Sequence, residues 1–145
     1  MPVSSSIRVL VVDDYEPFRR FLCSTLRKRP ALQIVGEAFD GLAAVRQTEE
    51  LKPDLILLDI GLPRVNGLQA AREIRKLSPG SKIVFVSQES APDLVQEAFN
   101  LGARGYVAKT RAATDLLAAA DAVLEGGRFV SSGLIACDPD QKISA

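Results

Sequence analysis

Short apolar runs alternate along this chain with longer stretches in which apolar residues recur three and four positions apart, five times each. Ile7-Arg8-Val9-Leu10-Val11-Val12, Leu55-Ile56-Leu57-Leu58, Lys82-Ile83-Val84-Phe85-Val86 and Gly105-Tyr106-Val107-Ala108 are almost free of polar residues. A strand with one wet face would alternate, so these runs predict parallel strands buried on both faces. Between them, Phe18, Phe21, Leu22, Thr25 and Leu26 form a helical stripe behind Pro17, a residue suited to a first turn. A second helix is expected from Asp40-Gly41 to near Leu51-Lys52-Pro53. A third carries Leu68, Ala71, Ile74 and Leu77 and stops at Pro79-Gly80. Leu94, Val95, Ala98 and Phe99 mark a fourth, opened by Ser90-Ala91-Pro92 and ended by Gly102. Leu116, Leu117, Ala120, Val123 and Leu124 mark a fifth before Gly126-Gly127. Strand and stripe in alternation predict an α/β fold, a doubly wound five-stranded parallel sheet with helices on both faces. The stripes are core faces first and partner surfaces second.

The residues that end the runs carry the chemistry. Asp59 closes one strand and is followed by Ile60-Gly61-Leu62-Pro63; Asp13-Asp14 closes the first. In open α/β sheets, ligands bind in the crevice beyond the carboxyl ends of the strands, so three carboxylates reach one rim. Clustered acids raise one another's pKa values and need a cation, and oxygen-only donors suit a hard ion such as Mg²⁺. A lone aspartate here is more simply a cap for the next helix, and one of the pair can cap while the other ligates. Ser87 and Lys109 end the next two runs. Singly they read as a turn cap and a solvated charge. Beside three carboxylates they form a site suited to a phosphoryl group, with Lys109 pairing the anion and Ser87 donating a hydrogen bond.

Composition narrows this further. At 145 residues and 47% hydrophobic content, the chain can build one sizeable core. Eighteen acidic and 18 basic residues cancel, which removes the electrostatic footprint of a nucleic-acid binder. There is no histidine, which excludes Ser-His-Asp and Cys-His catalysis, His-ligated zinc, and a histidine as phosphoryl carrier within the chain. Cys23 and Cys137 stand in no metal or redox spacing. The N-terminal Met1-Pro2-Val3-Ser4-Ser5-Ser6 lacks the charged and apolar blocks of a signal peptide, and no apolar run approaches the roughly 20 residues of a membrane span. A cytoplasmic protein is expected.

Together these residues resemble the receiver domain of two-component response regulators, over residues 7 to about 130. Asp13-Asp14 match the family's acidic pair, Asp59 its phospho-accepting aspartate, Ser87 its Thr/Ser, Tyr106 its switch aromatic and Lys109 its lysine. The tracts Gly36-Glu37-Ala38, Asp59-Ile60-Gly61-Leu62-Pro63 and Gly102-Ala103-Arg104-Gly105-Tyr106-Val107-Ala108-Lys109 are similar to the NarL/FixJ (LuxR-type) branch, whose members usually carry a DNA-binding helix-turn-helix after the receiver. The resemblance implies a flavodoxin-like (βα)5 fold with strand order 2-1-3-4-5, the order of a chemotaxis receiver. It implies that Asp59 takes a phosphoryl group from a sensor histidine kinase or phosphotransfer protein, with Ser87 and Lys109 completing the reacting set. It further implies Mg²⁺ held by Asp59, by Asp13 or Asp14, and by the backbone carbonyl of Gly61. Ser87 then moves toward the phosphoryl group and Tyr106 turns into the space it leaves, controlling an output such as transcription. Such a chain speeds its own phosphorylation and dephosphorylation and is otherwise not an enzyme. Tyr106 by itself is equally well a half-buried sheet aromatic.

The receiver is expected over residues 7–127, after an N-terminal extension at 1–6 and before a C-terminal tail or truncated linker at 128–145, where Ser131-Ser132-Gly133 and Asp138-Pro139 suit a loop. Lys142 is the only basic residue after Val130, so the chain itself is not expected to bind DNA. Either an output domain was removed after Ala145 or the chain is a stand-alone receiver, acting as a phosphate sink or protein-interaction switch. A phosphorylation-dependent homodimer is expected from the branch. Ala112, Ala113, Ala118, Ala119 and Ala120 would permit close packing of the fifth helix, although Ala is also simply a good helix former. Two positions depart from the common receiver pattern: Thr110 stands where Pro is frequent, and Gln88 where a small residue is. A flavodoxin-like cofactor binder would need a phosphate-cradling loop after Val12, and an aspartate-nucleophile phosphohydrolase would need an acid where Gly61 stands.

Overall fold

In the computed structural model, which describes residues 6–134, strands and helices alternate as β1 (Ile7–Val12), α1 (Glu16–Leu26), β2 (Leu32–Ala38), α2 (Gly41–Leu51), β3 (Leu55–Leu58), α3 (Gly67–Leu77), β4 (Lys82–Ser87), α4 (Pro92–Asn100), β5 (Gly105–Ala108), α5 (Ala112–Leu124) and β6 (Phe129–Val130). A single 3-10 turn, Lys109–Arg111, joins β5 to α5. The sheet is parallel throughout, in the order β2-β1-β3-β4-β5-β6. The expected order is therefore present and extended by one strand. β6 pairs Phe129 with Gly105 and Val130 with Tyr106, so the segment expected to be a free tail from residue 128 begins as sheet. The rest of the expected extension and tail, residues 1–5 and 135–145 with Cys137, Asp138-Pro139 and Lys142, lies outside the described residues.

The near-continuous apolar runs serve both faces because successive side chains point to opposite sides of a strand. Leu10, Val12, Ile56, Leu58, Ile83, Phe85 and Tyr106 pack toward Ala44, Ala70, Ala71, Ile74, Val95 and Ala98 of α2, α3 and α4. Val9, Val11, Leu55, Leu57, Val84, Val86 and Val107 pack toward Leu22, Leu26, Leu116, Ala119 and Val123 of α1 and α5. Each wholly buried Leu or Ile contributes roughly 2 kcal/mol, so the strand sequences alone commit the chain to two covered faces. Of the six alanines in the fifth helix, Ala112, Ala119 and Ala120 belong to this core, Ala122 is half-buried, and Ala113 and Ala118 are exposed. The three core alanines let α5 lie close to the sheet, so only part of its alanine content faces outward.

Helix starts set the rim. Pro17 and Pro92 open α1 and α4, and Asp40 caps α2 by accepting the Ala43 N–H at 2.7 Å. Asn66 and Gln69 cap α3 reciprocally. Gly67 follows, and a Cβ there would lie 2.1 Å from the Asp59 carbonyl oxygen. Only glycine lets α3 begin directly beneath the end of β3. No peptide bond among the described residues is cis, the one after Lys109 included, and no helix is long and apolar enough to cross a membrane.

Candidate functional site

Sheet register brings the polar strand ends to one level. β1 and β3 pair from Val9 with Leu55 to Val12 with Leu58, and the Asp59 N–H donates to the Val12 carbonyl at 3.2 Å. Asp13 and Asp59 therefore emerge side by side. β4 runs on to Ser87, which pairs with Ala108 of β5, and Lys109 leaves the sheet next to it. A cavity of about 460 Å³ opens over this rim, lined by Asp14, Asp59, Gly61, Ser87, Gln88 and Lys109.

Burial and charge oppose each other here. Asp13 is wholly buried and Asp59 is 6% exposed, while Asp14 is exposed at the mouth. Lys109 Nζ lies 2.9 Å from Asp13 Oδ2 and 3.2 Å from Asp59 Oδ2, and 4.7 Å from the centre of the Phe18 ring. Burial pushes the Asp59 carboxyl above its usual range; Lys109 counters, Asp13 adds to the rise, and the Gly61 N–H at 3.4 Å counters again. Burial alone would lower the Lys109 ammonium, but the bond to Asp13 and the charge of Asp59 hold it above its ordinary value. The alternative of a capping aspartate fails in detail. Asp13 Oδ1 accepts the Tyr15 N–H at 2.8 Å, whereas the N-cap of α1 is Tyr15 itself, whose side chain makes no capping bond.

One buried carboxylate oxygen, Asp13 Oδ2, meets no donor other than the Lys109 ammonium, which it shares with Asp59. Ligand oxygens of Asp13, Asp14 and Asp59 lie within 4.8 Å of one another. An all-oxygen cluster with an undersatisfied buried oxygen and an open side toward a cavity fits a hard divalent cation better than a softer metal.

The remaining expected residues converge on the backbone of one residue, Glu89. Ser87 is buried and its Oγ accepts the Glu89 N–H at 3.1 Å. Tyr106 is inward and wholly buried against Phe85, and its OH donates to the Glu89 carbonyl at 2.8 Å. Burial pushes the Tyr106 phenol up to about 12; the Ser87 hydroxyl works against that, and the Glu89 and Asp59 charges add to it. Gln88 is exposed and lines the cavity.

Three contributors had no clear signal in the sequence. Glu89 acts through its backbone, which no residue type advertises. Arg19, inside the first helical stripe, donates to the Asp13 carbonyl at 2.9 Å, pairs with Glu37 at 2.9 Å and stacks 4.3 Å over Phe39. Phe18 reads as core but lies under Lys109. An arginine on an otherwise apolar helix face was the one available hint.

The family model of the response regulator receiver domain matches residues 9–121. The transcriptional regulatory protein DegU of Brevibacillus brevis is 32% identical over 126 residues, which cover 87% of this chain and 53% of that protein. The chemotaxis protein CheY of Thermotoga maritima is 37% identical over 102 residues, covering 70% of this chain and 84% of that one. The chain thus spans about half the length of the DegU relative and most of the CheY one. A LuxR-family two-component response regulator from Aurantimonas sp. superposes with a TM-score of 0.83 at 31% identity, covering 97% of this chain and 96% of its own. The chain belongs to the response regulator receiver domain family of two-component signalling, in its NarL/FixJ (LuxR-type) branch.

Proposed function

We propose that the chain accepts a phosphoryl group on Asp59 and answers by rearranging the segment between β4 and α4. The observation that carries this is the juxtaposition of Asp59 and Lys109 at 3.2 Å in a rim cavity that Ser87 also lines. Asp59 attacks phosphorus, the donor's phosphorus–nitrogen bond breaks, and the donor imidazole leaves with the electron pair and takes up a proton. The chain has no histidine, so the phosphohistidine belongs to a sensor kinase or phosphotransfer protein. Lys109 is freed from Asp59 as that carboxylate becomes an acyl phosphate and takes a phosphoryl oxygen instead. Asp13, Asp14 and Asp59, with the Gly61 carbonyl at the same cavity, would hold Mg²⁺, which would supply charge neutralisation at the phosphoryl oxygens.

Glu89 supports a physical account of the switch. Its N–H is held by Ser87 and its carbonyl by Tyr106. When Ser87 turns its hydroxyl toward a phosphoryl oxygen, the N–H loses its acceptor and Tyr106 becomes the side-chain tether left on the Glu89 backbone. The population of the loop and of α4 then shifts, because the new contact exists only with the phosphoryl group in place. Tyr106 already being inward, the change consists of loop repositioning around a buried ring. By likeness to DegU, named a transcriptional regulatory protein, the output regulated is transcription.

The test is intact-mass measurement after incubation with acetyl phosphate and Mg²⁺. One phosphoryl adduct is expected on the parent and none on Asp59→Asn or in the presence of a chelator. Equal labelling of Asp59→Asn would overturn the proposal.

A further inference from the structure

We infer that Ser131, just past β6, is a positioning residue for Lys109 and hence for phosphoryl transfer; this rests on the function proposed above. Ser131 sits in a stretch whose composition suits a linker, yet it is 1% exposed. Its N–H and both the accepting and the donating side of its hydroxyl are used. The N–H donates to the Tyr106 carbonyl at 3.0 Å, Oγ accepts the Ala108 N–H at 3.1 Å, and the hydroxyl donates to Asp115 Oδ2 at 2.7 Å. Asp115, in the first turn of α5 and itself buried, also accepts from Arg111 Nε at 3.1 Å.

The consequence lies in where these bonds fall. β6 is only two residues long, so its ladder ends before it can offer a carbonyl to Ala108. The Ser131 side chain supplies that acceptor in its place. Ala108 is the residue immediately before Lys109, and Arg111 closes the 3-10 turn that Lys109 opens. One hydroxyl therefore ties both ends of the lysine's turn, the Ala108 end directly and the Arg111 end through Asp115. The lysine must hold Nζ within 2.9 and 3.2 Å of two buried carboxylates on other strands. Deleting the hydroxyl leaves the Ala108 donor without its acceptor and the Asp115 carboxylate with Arg111 as its remaining donor, and the turn relaxes toward other partners.

The experiment compares Ser131→Ala and Ser131→Thr with the parent for the rate of Asp59 labelling by acetyl phosphate and Mg²⁺, well below the melting temperature of each. A misplacement of the order of 1 Å in a reacting group costs up to about a hundredfold in rate, so Ser131→Ala is expected to label about tenfold more slowly. Ser131→Thr, which keeps the hydroxyl, is expected to recover the parent rate. Should Ser131→Ala not fold, Asp115→Asn takes its place, with slower labelling expected. A parent rate in Ser131→Ala or Asp115→Asn, or equal slowing in the alanine and threonine variants, would overturn the inference while leaving the proposed function intact. A parent that does not label at all defeats both.

Discussion

Lys109 neutralises two buried carboxylates with one charge, and the imbalance is a property of Asp59. Its carboxyl is held above the usual range by burial and by Asp13, with Lys109 acting against that. Removing the charge should then help the fold: in metal-free buffer at neutral pH, Asp59→Asn is expected to be more stable than the parent by about 1 kcal/mol. Lys109→Met leaves both acids without their cation and is expected to be less stable by about 3 kcal/mol. Chemical denaturation of the three proteins measures both, and a destabilised Asp59→Asn would mean that its hydrogen bonds outweigh its burial. Tyr106 gives a pH signature. Its folded pKa of about 12 lies above the unfolded value of about 10. In that window the unfolded chain ionises first, so stability is whole below it and declines as pH rises through it. A phenolate absorbance titration should show a late step that Tyr106→Phe removes. An early step for both tyrosines would place the Tyr106 ring in water.

At the scale of elements, some features were legible in the sequence and others were not, for physical reasons. A strand buried on both faces is a run of apolar residues that a polar residue must end, so Asp13, Asp59, Ser87 and Lys109 announced themselves. β6 did not, because two residues carry no periodicity, and Ser131-Ser132-Gly133 has loop composition despite the burial of Ser131. The alanines of α5 were ambiguous for another reason: a small residue suits a close approach to a sheet and to a partner equally, and only the packing separates them. Gly67 belongs to the same class. Its need for glycine arises from the Asp59 carbonyl and Ile60 Cα, contacts between elements that the sequence does not order in space. Gly67→Ala is expected to cost about 3 kcal/mol, since the obstructing atoms are backbone and cannot turn aside. Thermal or denaturant unfolding tests this, and a loss below measurement error would show that the start of α3 can shift away from β3.

For the whole molecule, two thick apolar faces and a polar rim divide the work, with the sheet holding the acids in place while the loops on the rim respond. Three of the six alanines of α5 serve the core, so a phosphorylation-dependent pairing is expected to draw mainly on larger outward residues. Sedimentation velocity with and without Mg²⁺ and beryllofluoride is expected to show association only with the mimic, and exchange of Ala113 and Ala118 for larger polar residues is expected to leave it unchanged. Loss of association in those variants would restore the alanine face. The central claim, that the phosphoryl group resides on Asp59, is tested most directly by trapping. Borohydride reduces an acyl phosphate to an alcohol and leaves free carboxylates alone, so peptide mass mapping of the reduced protein locates the modified side chain. Reduction is expected at Asp59 and at no other acid. Reduction at Asp13 or Asp14, or none at all in a protein that carries a phosphoryl adduct, would contradict it.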